Sequence, residues 1–131
     1  MEKKLVNPWK WQDEFGFSQA VAVTAAERVL YCAGQTSIDA DGKVAHAGDM
    51  AGQINAALDN LETVLAAAGM SLSNVVRLNY YTPDVDLFFA NQSVLAKRLA
   101  KAGCRPASTL LGVARLAFPE LLIEIEATAV R

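Results

Sequence analysis

The chain has 131 residues and carries 14 acidic against 12 basic groups, a formal net charge of −2 at pH 7. Hydrophobic residues make up 53% of it and charged residues 20%, which excludes intrinsic disorder and suits one domain, residues 1–131, built on a single core. Acidic and basic residues are mixed with no basic block, so nothing invites a phosphate backbone and no nucleic-acid partner is expected.

The N-terminal residues contain no apolar segment of signal-peptide length, and no later apolar run is long enough to span a bilayer. A cytoplasmic protein with no membrane partner is expected. Trp9, Trp11, Phe15 and Phe17 then form an aromatic cluster. Two readings of it stand: a pocket wall that selects a larger or more apolar ligand, and a hydrophobic flap over the core, which is preferred for the tryptophans. Residues 17–24 alternate weakly and predict a first strand. The continuous apolar run 29–33 predicts a strand buried on both faces, ended by Gly34 and Gln35. A turn signal at 39–42 leads into 43–47, a short predicted edge strand. The sole histidine, His46, falls there and reads as a surface residue.

Asp49 is the predicted N-cap of a helix, with Ile54, Leu58, Leu61, Leu65 and Ala68 at helical spacing and Gly69 as its stop. Residues 75–82 are β-rich and close at Pro83-Asp84. A second helix follows, with Phe88, Gln92, Leu95 and Leu99 along one stripe, basic residues near its C-terminus, and Gly103 as its stop. Pro106 forces Arg105 toward an extended conformation. Residues 109–116 and 122–130 predict two further strands, joined through 116–121. Cys32 reads as a core residue, and an exposed position is open to Cys104; the two have no metal-ligand spacing, and reduced thiols are the simplest reading.

The predicted order is ββ(β)αβαββ, an α+β arrangement of two helices and one sheet. Two helices cover only one face of such a sheet, yet 29–33 and Thr109-Leu110-Leu111 carry apolar side chains toward both. Self-association is the economical way to hide the other face.

Several short motifs occur in a fixed order: Phe17-Ser18-Gln19-Ala20-Val21; Ala33-Gly34-Gln35-Thr36; Gln53, Asn60-Leu61 and Ala67-Ala68-Gly69; Val75-Val76-Arg77; Pro106-Ala107; Val113-Ala114-Arg115-Leu116; and Ile123-Glu124-Ile125-Glu126-Ala127. In this the chain resembles the Rid family (reactive intermediate deaminases, or YjgF family) over most of its length. The resemblance implies a chorismate-mutase-like fold, with a mixed sheet, two helices on one face, and three subunits packing their sheets into a central barrel. It also implies small-molecule pockets between subunits, with neither metal nor organic cofactor. Family members hydrolyse enamine and imine intermediates such as 2-aminoacrylate, releasing ammonia and an oxo acid.

The resemblance assigns site residues position by position. Ser108 stands where the active deaminases carry an arginine for the substrate carboxylate, a job suited to the planar guanidinium fork. Phe17 replaces a tyrosine, Ala33 a serine and Leu110 a cysteine, while Gln92 takes the place of an asparagine. Gly34 ends a buried strand, where its carbonyl either faces a ligand amine or simply marks a bend. Glu124 matches the glutamate that positions the attacking water. It shares a strand face with Glu126, roughly 7 Å away along the chain; the competing reading pairs one or both with Arg115 or Arg77 across the sheet. Strand alternation directs Arg105 away from the position of Ser108, so a solvated loop arginine is preferred to a substitute carboxylate clamp. Together these departures imply a hydrolase of imine, enamine or related C=N compounds with altered specificity, an aminomuconate-type deaminase being one concrete version. The alternative is a non-catalytic small-molecule-binding or regulatory trimer, and a ribonuclease fits the charge poorly.

Overall fold

In the computed structural model, which describes residues 1–131, four strands form a mixed sheet: β3 (Val29–Gln35), β4 (Val75–Thr82), β5 (Ala107–Gly112) and β6 (Glu124–Val130), in the order β3-β6-β4-β5. β6 runs antiparallel to both of its neighbours, while β4 and β5 are parallel. The helices are α1 (Met50–Ala67) and α2 (Val85–Lys101), and the latter makes the crossover that a parallel β4–β5 pair requires. An antiparallel hairpin of β1 (Glu2–Val6) and β2 (Ala20–Thr24) stands apart, with a 3-10 turn (Trp11–Phe15) between its strands in sequence.

Local chemistry accounts for both helices. The Asp49 carboxylate accepts from the Gly52 amide at 2.9 Å and that of Asp84 accepts from the Leu87 amide at 3.0 Å, capping α1 and α2. The predicted stripe of α1 is the centre of the core: Ile54, Leu58, Leu61 and Leu65 are fully buried against Leu78 and Tyr80 of β4 and Ile125 and Ala127 of β6. Phe88, Leu95 and Leu99 of α2 join the same cluster. Both helices therefore lie on one sheet face, as the alternation of β4 and β6 requires. The opposite face carries exposed Val29, Tyr31 and Leu111 beside Arg77, Asn79, Glu124 and Glu126.

Four expectations need correction. Residues 43–47 form no strand beyond a single bridge from Val44 to Ile38. The additional strand is instead β1, whose Glu-Lys-Lys start hides it from a hydrophobicity pattern and whose pairing comes from β2. The strand expected at 109–116 runs from Ala107 to Gly112, because its partner β4 ends at Thr82, opposite Gly112. The strand expected at 122–130 begins at Glu124, because side chains take both backbone groups of Leu122: its N–H donates to Gln53 Oε1 at 2.8 Å and its carbonyl accepts from Thr82 Oγ1 at 2.6 Å. Finally, Cys104 is buried, with its Sγ 3.8 Å from the Val75 carbonyl, and burial pushes its thiol up to about 11. No helix is long and apolar enough to cross a membrane.

Gln53 is fully buried and ties α1 to the entry of β6, since its Nε2 also donates to the Glu120 carbonyl at 2.9 Å. Gln53→Leu keeps the volume but strands these partners, so we expect a loss of about 2 kcal/mol in urea unfolding.

Candidate functional site

The alternation that buries Ile125 and Ala127 turns Glu124 and Glu126 to the open face of the sheet. Opposite them on β4 lie Tyr81 and Asn79. Glu126 Oε1 accepts from Asn79 Nδ2 and from the Tyr81 hydroxyl, each at 2.9 Å, and these two bonds hold its carboxyl below the usual range. The Glu124 carboxylate accepts no hydrogen bond within the chain. Burial, and then the negative charge of Glu126, push its carboxyl above the usual range. Two neighbouring carboxyls are thus driven in opposite directions, the pattern that separates an ionised group from a proton-exchanging one.

The cross-sheet ion pairs do not form. Arg77 donates to Thr109 Oγ1 at 3.0 Å, and Arg115 folds back onto the carbonyls of Leu116 and Ala117, each at 3.2 Å. Facing Glu124 is Gly34, where the β3–β6 register slips between Cys32 and Gln35. A Cβ on Gly34 would stand 2.6 Å from the Glu124 carboxyl carbon, so only glycine allows this approach. Ala33 is exposed beside it.

Phe17, Gln92, Ser108 and Leu110 gather elsewhere. They line a cavity of about 220 Å³ between α2, the start of β5 and the 3-10 turn. Trp11 and Phe15 complete its outer wall, with ring centroids 5.7 Å apart for Trp11–Phe17 and 6.5 Å for Phe15–Phe17. Ser108 and Leu110 pair with Leu78 and Tyr80, on the helix-covered face, whereas Glu124 and Glu126 pair with residues of the open face. One sheet therefore separates the expected site residues into two groups, and a single chain does not join them in one pocket.

Arg105 belongs to neither group. Its Nη2 donates to Asp13 Oδ1 at 2.6 Å and to the Phe17 carbonyl at 3.0 Å. It ties the 3-10 turn to the start of β5, and is not the solvated loop residue that strand alternation favours. His46 is exposed, and no three His, Cys, Asp or Glu side chains are grouped to hold a metal ion.

A family model described as Endoribonuclease L-PSP matches residues 12–131. The chain belongs to this family, also called Rid or YjgF. A Rid-family protein of unknown function from Yersinia pestis is 37% identical and superposes with a TM-score of 0.87, covering 100% of both chains. A RutC family protein of Pyrococcus horikoshii is 34% identical over 113 residues, 86% of this chain and 85% of the relative. The 3-aminoacrylate deaminase RutC of Acinetobacter baylyi is 31% identical over 109 residues, 83% of this chain and 84% of the relative.

In this Rid-family chain, sequence reasoning did not find Asn79 and Tyr81. Their signal is their shared strand face, which becomes useful only once the β4–β6 register is known. Trp11 is part of the cavity wall, whereas Trp9 is not. The turn that carries Trp11 and Phe15 is held at Arg105. Arg105→Ala should accelerate hydrogen exchange of the Gly16 and Ser18 amides, which bond Asp13 and Pro106, while α1 amides stay protected. Because the Arg105–Asp13 pair is partly exposed, the global loss should be about 1 kcal/mol or less.

Proposed function

We propose that this Rid-family chain is a hydrolase of imine, enamine or related C=N small molecules, with specificity shifted away from 2-aminoacrylate. The reading is carried by Glu124, an unpaired, half-buried carboxyl with a raised pKa, set against Gly34 and beside an ionised Glu126. In the proposed step the Glu124 carboxylate takes a proton from water as the water oxygen bonds to the C=N carbon. The C=N π electrons move to nitrogen, which receives a proton from Glu124. Collapse of the resulting aminoalcohol breaks the C–N bond and releases ammonia and a carbonyl product. Similarity to a protein named 3-aminoacrylate deaminase supports this chemistry. The shift in specificity is supported by the aromatic cavity, which has no cationic side chain to meet a carboxylate.

The two groups of site residues meet only if Ala33, Gly34 and Glu124 of one subunit approach Phe17, Gln92, Ser108 and Leu110 of another. We therefore place the ligand between subunits of a homotrimer, with exposed Val29, Tyr31 and Leu111 contributing to the contact. The net charge of −2 favours a small molecule over RNA, despite the ribonuclease in the family description. The uncharged cavity also favours the second reading, a binding or regulatory trimer without turnover.

The test is ammonia release across a panel of imines. Glu124→Gln should retain ligand binding in a thermal-shift assay while turnover falls by roughly 10² or more; unchanged rates would sink the mechanism. Because the base must be ionised, wild-type kcat should fall as pH drops through the raised Glu124 pKa. Glu126→Gln keeps an acceptor for Asn79 and Tyr81 but removes the charge that adds to burial in raising Glu124. Its acid limb should therefore move to lower pH.

A further inference from the structure

We infer that the cavity under the 3-10 turn takes an uncharged ligand built on a single aromatic ring, and discriminates against the same ring bearing a carboxylate. The inference deepens the proposed function by naming the ligand class, but it concerns binding and does not require turnover.

Size is the first argument. An apolar cavity of about 150 Å³ accommodates benzene in an engineered protein. The cavity here, about 220 Å³, leaves room for a ring with one small polar substituent. Wall chemistry is the second. Phe15 meets Phe89 edge to face at 6.5 Å and 64°, and Trp11 meets Phe17 at 5.7 Å and 71°. These are the tilted arrangements through which aromatic rings attract one another, and an inserted ring extends the same array. Even with these contacts, Trp11, Phe15 and Phe89 remain substantially exposed in the single chain, an apolar rim with ring surface left to cover.

Polar complementarity is the third argument. Neither the Ser108 hydroxyl nor that of Tyr80 makes a hydrogen bond within the protein, and Gln92 uses only its Nε2, on the Phe15 carbonyl at 3.2 Å. Two hydroxyls and an amide oxygen can satisfy a neutral carbonyl, imine or amine. They cannot neutralise a carboxylate. Tyr80 is the only titratable group among the lining residues, and burial raises its hydroxyl far above neutral pH, so it stays uncharged. The adjacent guanidinium, Arg105, is not part of the lining; its Nη2 is bonded to Asp13 and the Phe17 carbonyl, while its buried Nε has no partner.

Benzamide and benzoate test this, because they share ring and size and differ in charge. Trp9 and Trp11 are the only tryptophans, and Trp9 does not line the cavity. A Trp9→Phe protein therefore reports on Trp11 alone. Titrated at pH 7, benzamide should change Trp11 emission saturably, and benzoate should bind at least tenfold more weakly. Ser108→Ala should weaken benzamide several-fold, and a folded Ser108→Arg protein should reverse the preference. Benzoate binding as tightly as benzamide, or no saturable benzamide response up to millimolar concentrations, would overturn the inference; both outcomes are read on Trp9→Phe alone and need no Ser108 variant. Saturable, benzamide-selective binding in a protein that releases ammonia from no imine would support the inference while removing the hydrolase reading.

Discussion

Ile125, Ala127 and Ala129 can lie under the helices only if Glu124, Glu126 and Thr128 face the other way. That alternation, held between β3 and β4 by two antiparallel ladders, is the constraint on which the rest depends. A slip of one residue would drive two carboxyls into the core and bring apolar side chains out, so the register is strongly specified. It sets Glu126 opposite Asn79 and within reach of Tyr81, and leaves Glu124 at the end of the ladder against Gly34. The opposite displacements of the two carboxyls follow from that placement: one has two donors, the other has none.

The register also explains why the candidate site residues fall on two sides of one sheet. Ser108 and Leu110 sit opposite Leu78 and Tyr80, which must face the helices because they fill the core. A ligand touching both groups therefore needs a second chain. The exposed face with Val29, Tyr31 and Leu111 supplies a physical reason for one, since apolar side chains left in water favour association.

On the helix side, the cavity lining is largely apolar and uncharged. Ser108, Phe17 and Leu110 line the same cavity, and none of them brings a charge to it. Trp11 and Phe15 add aromatic surface to it, and the turn that carries them is anchored by Arg105 through Asp13 and the Phe17 carbonyl. An arginine next to the cavity thus shapes its wall without being part of the lining.

The sequence by itself determined what nearest neighbours control. The α1 cap and stripe, strand β4 from Val75 to Thr82 and the inward–outward pattern of β6 depend on spacings of two to four residues, and such spacings are visible in one dimension. The Rid motifs likewise marked the residues that gather at the two candidate surfaces. Only the tertiary structure decided features whose partners are distant in sequence. β1 exists because β2 pairs with it, β6 begins at Glu124 because Gln53 and Thr82 occupy Leu122, and Cys104 is buried by its packing near Val75. Arg105 is fixed by Asp13, 92 residues away, and Glu126 by Asn79 and Tyr81, 47 and 45 residues away. Hydrogen bonds and ion pairs require specific atoms to meet, and which atoms meet is set by the packing of the whole sheet and its helices.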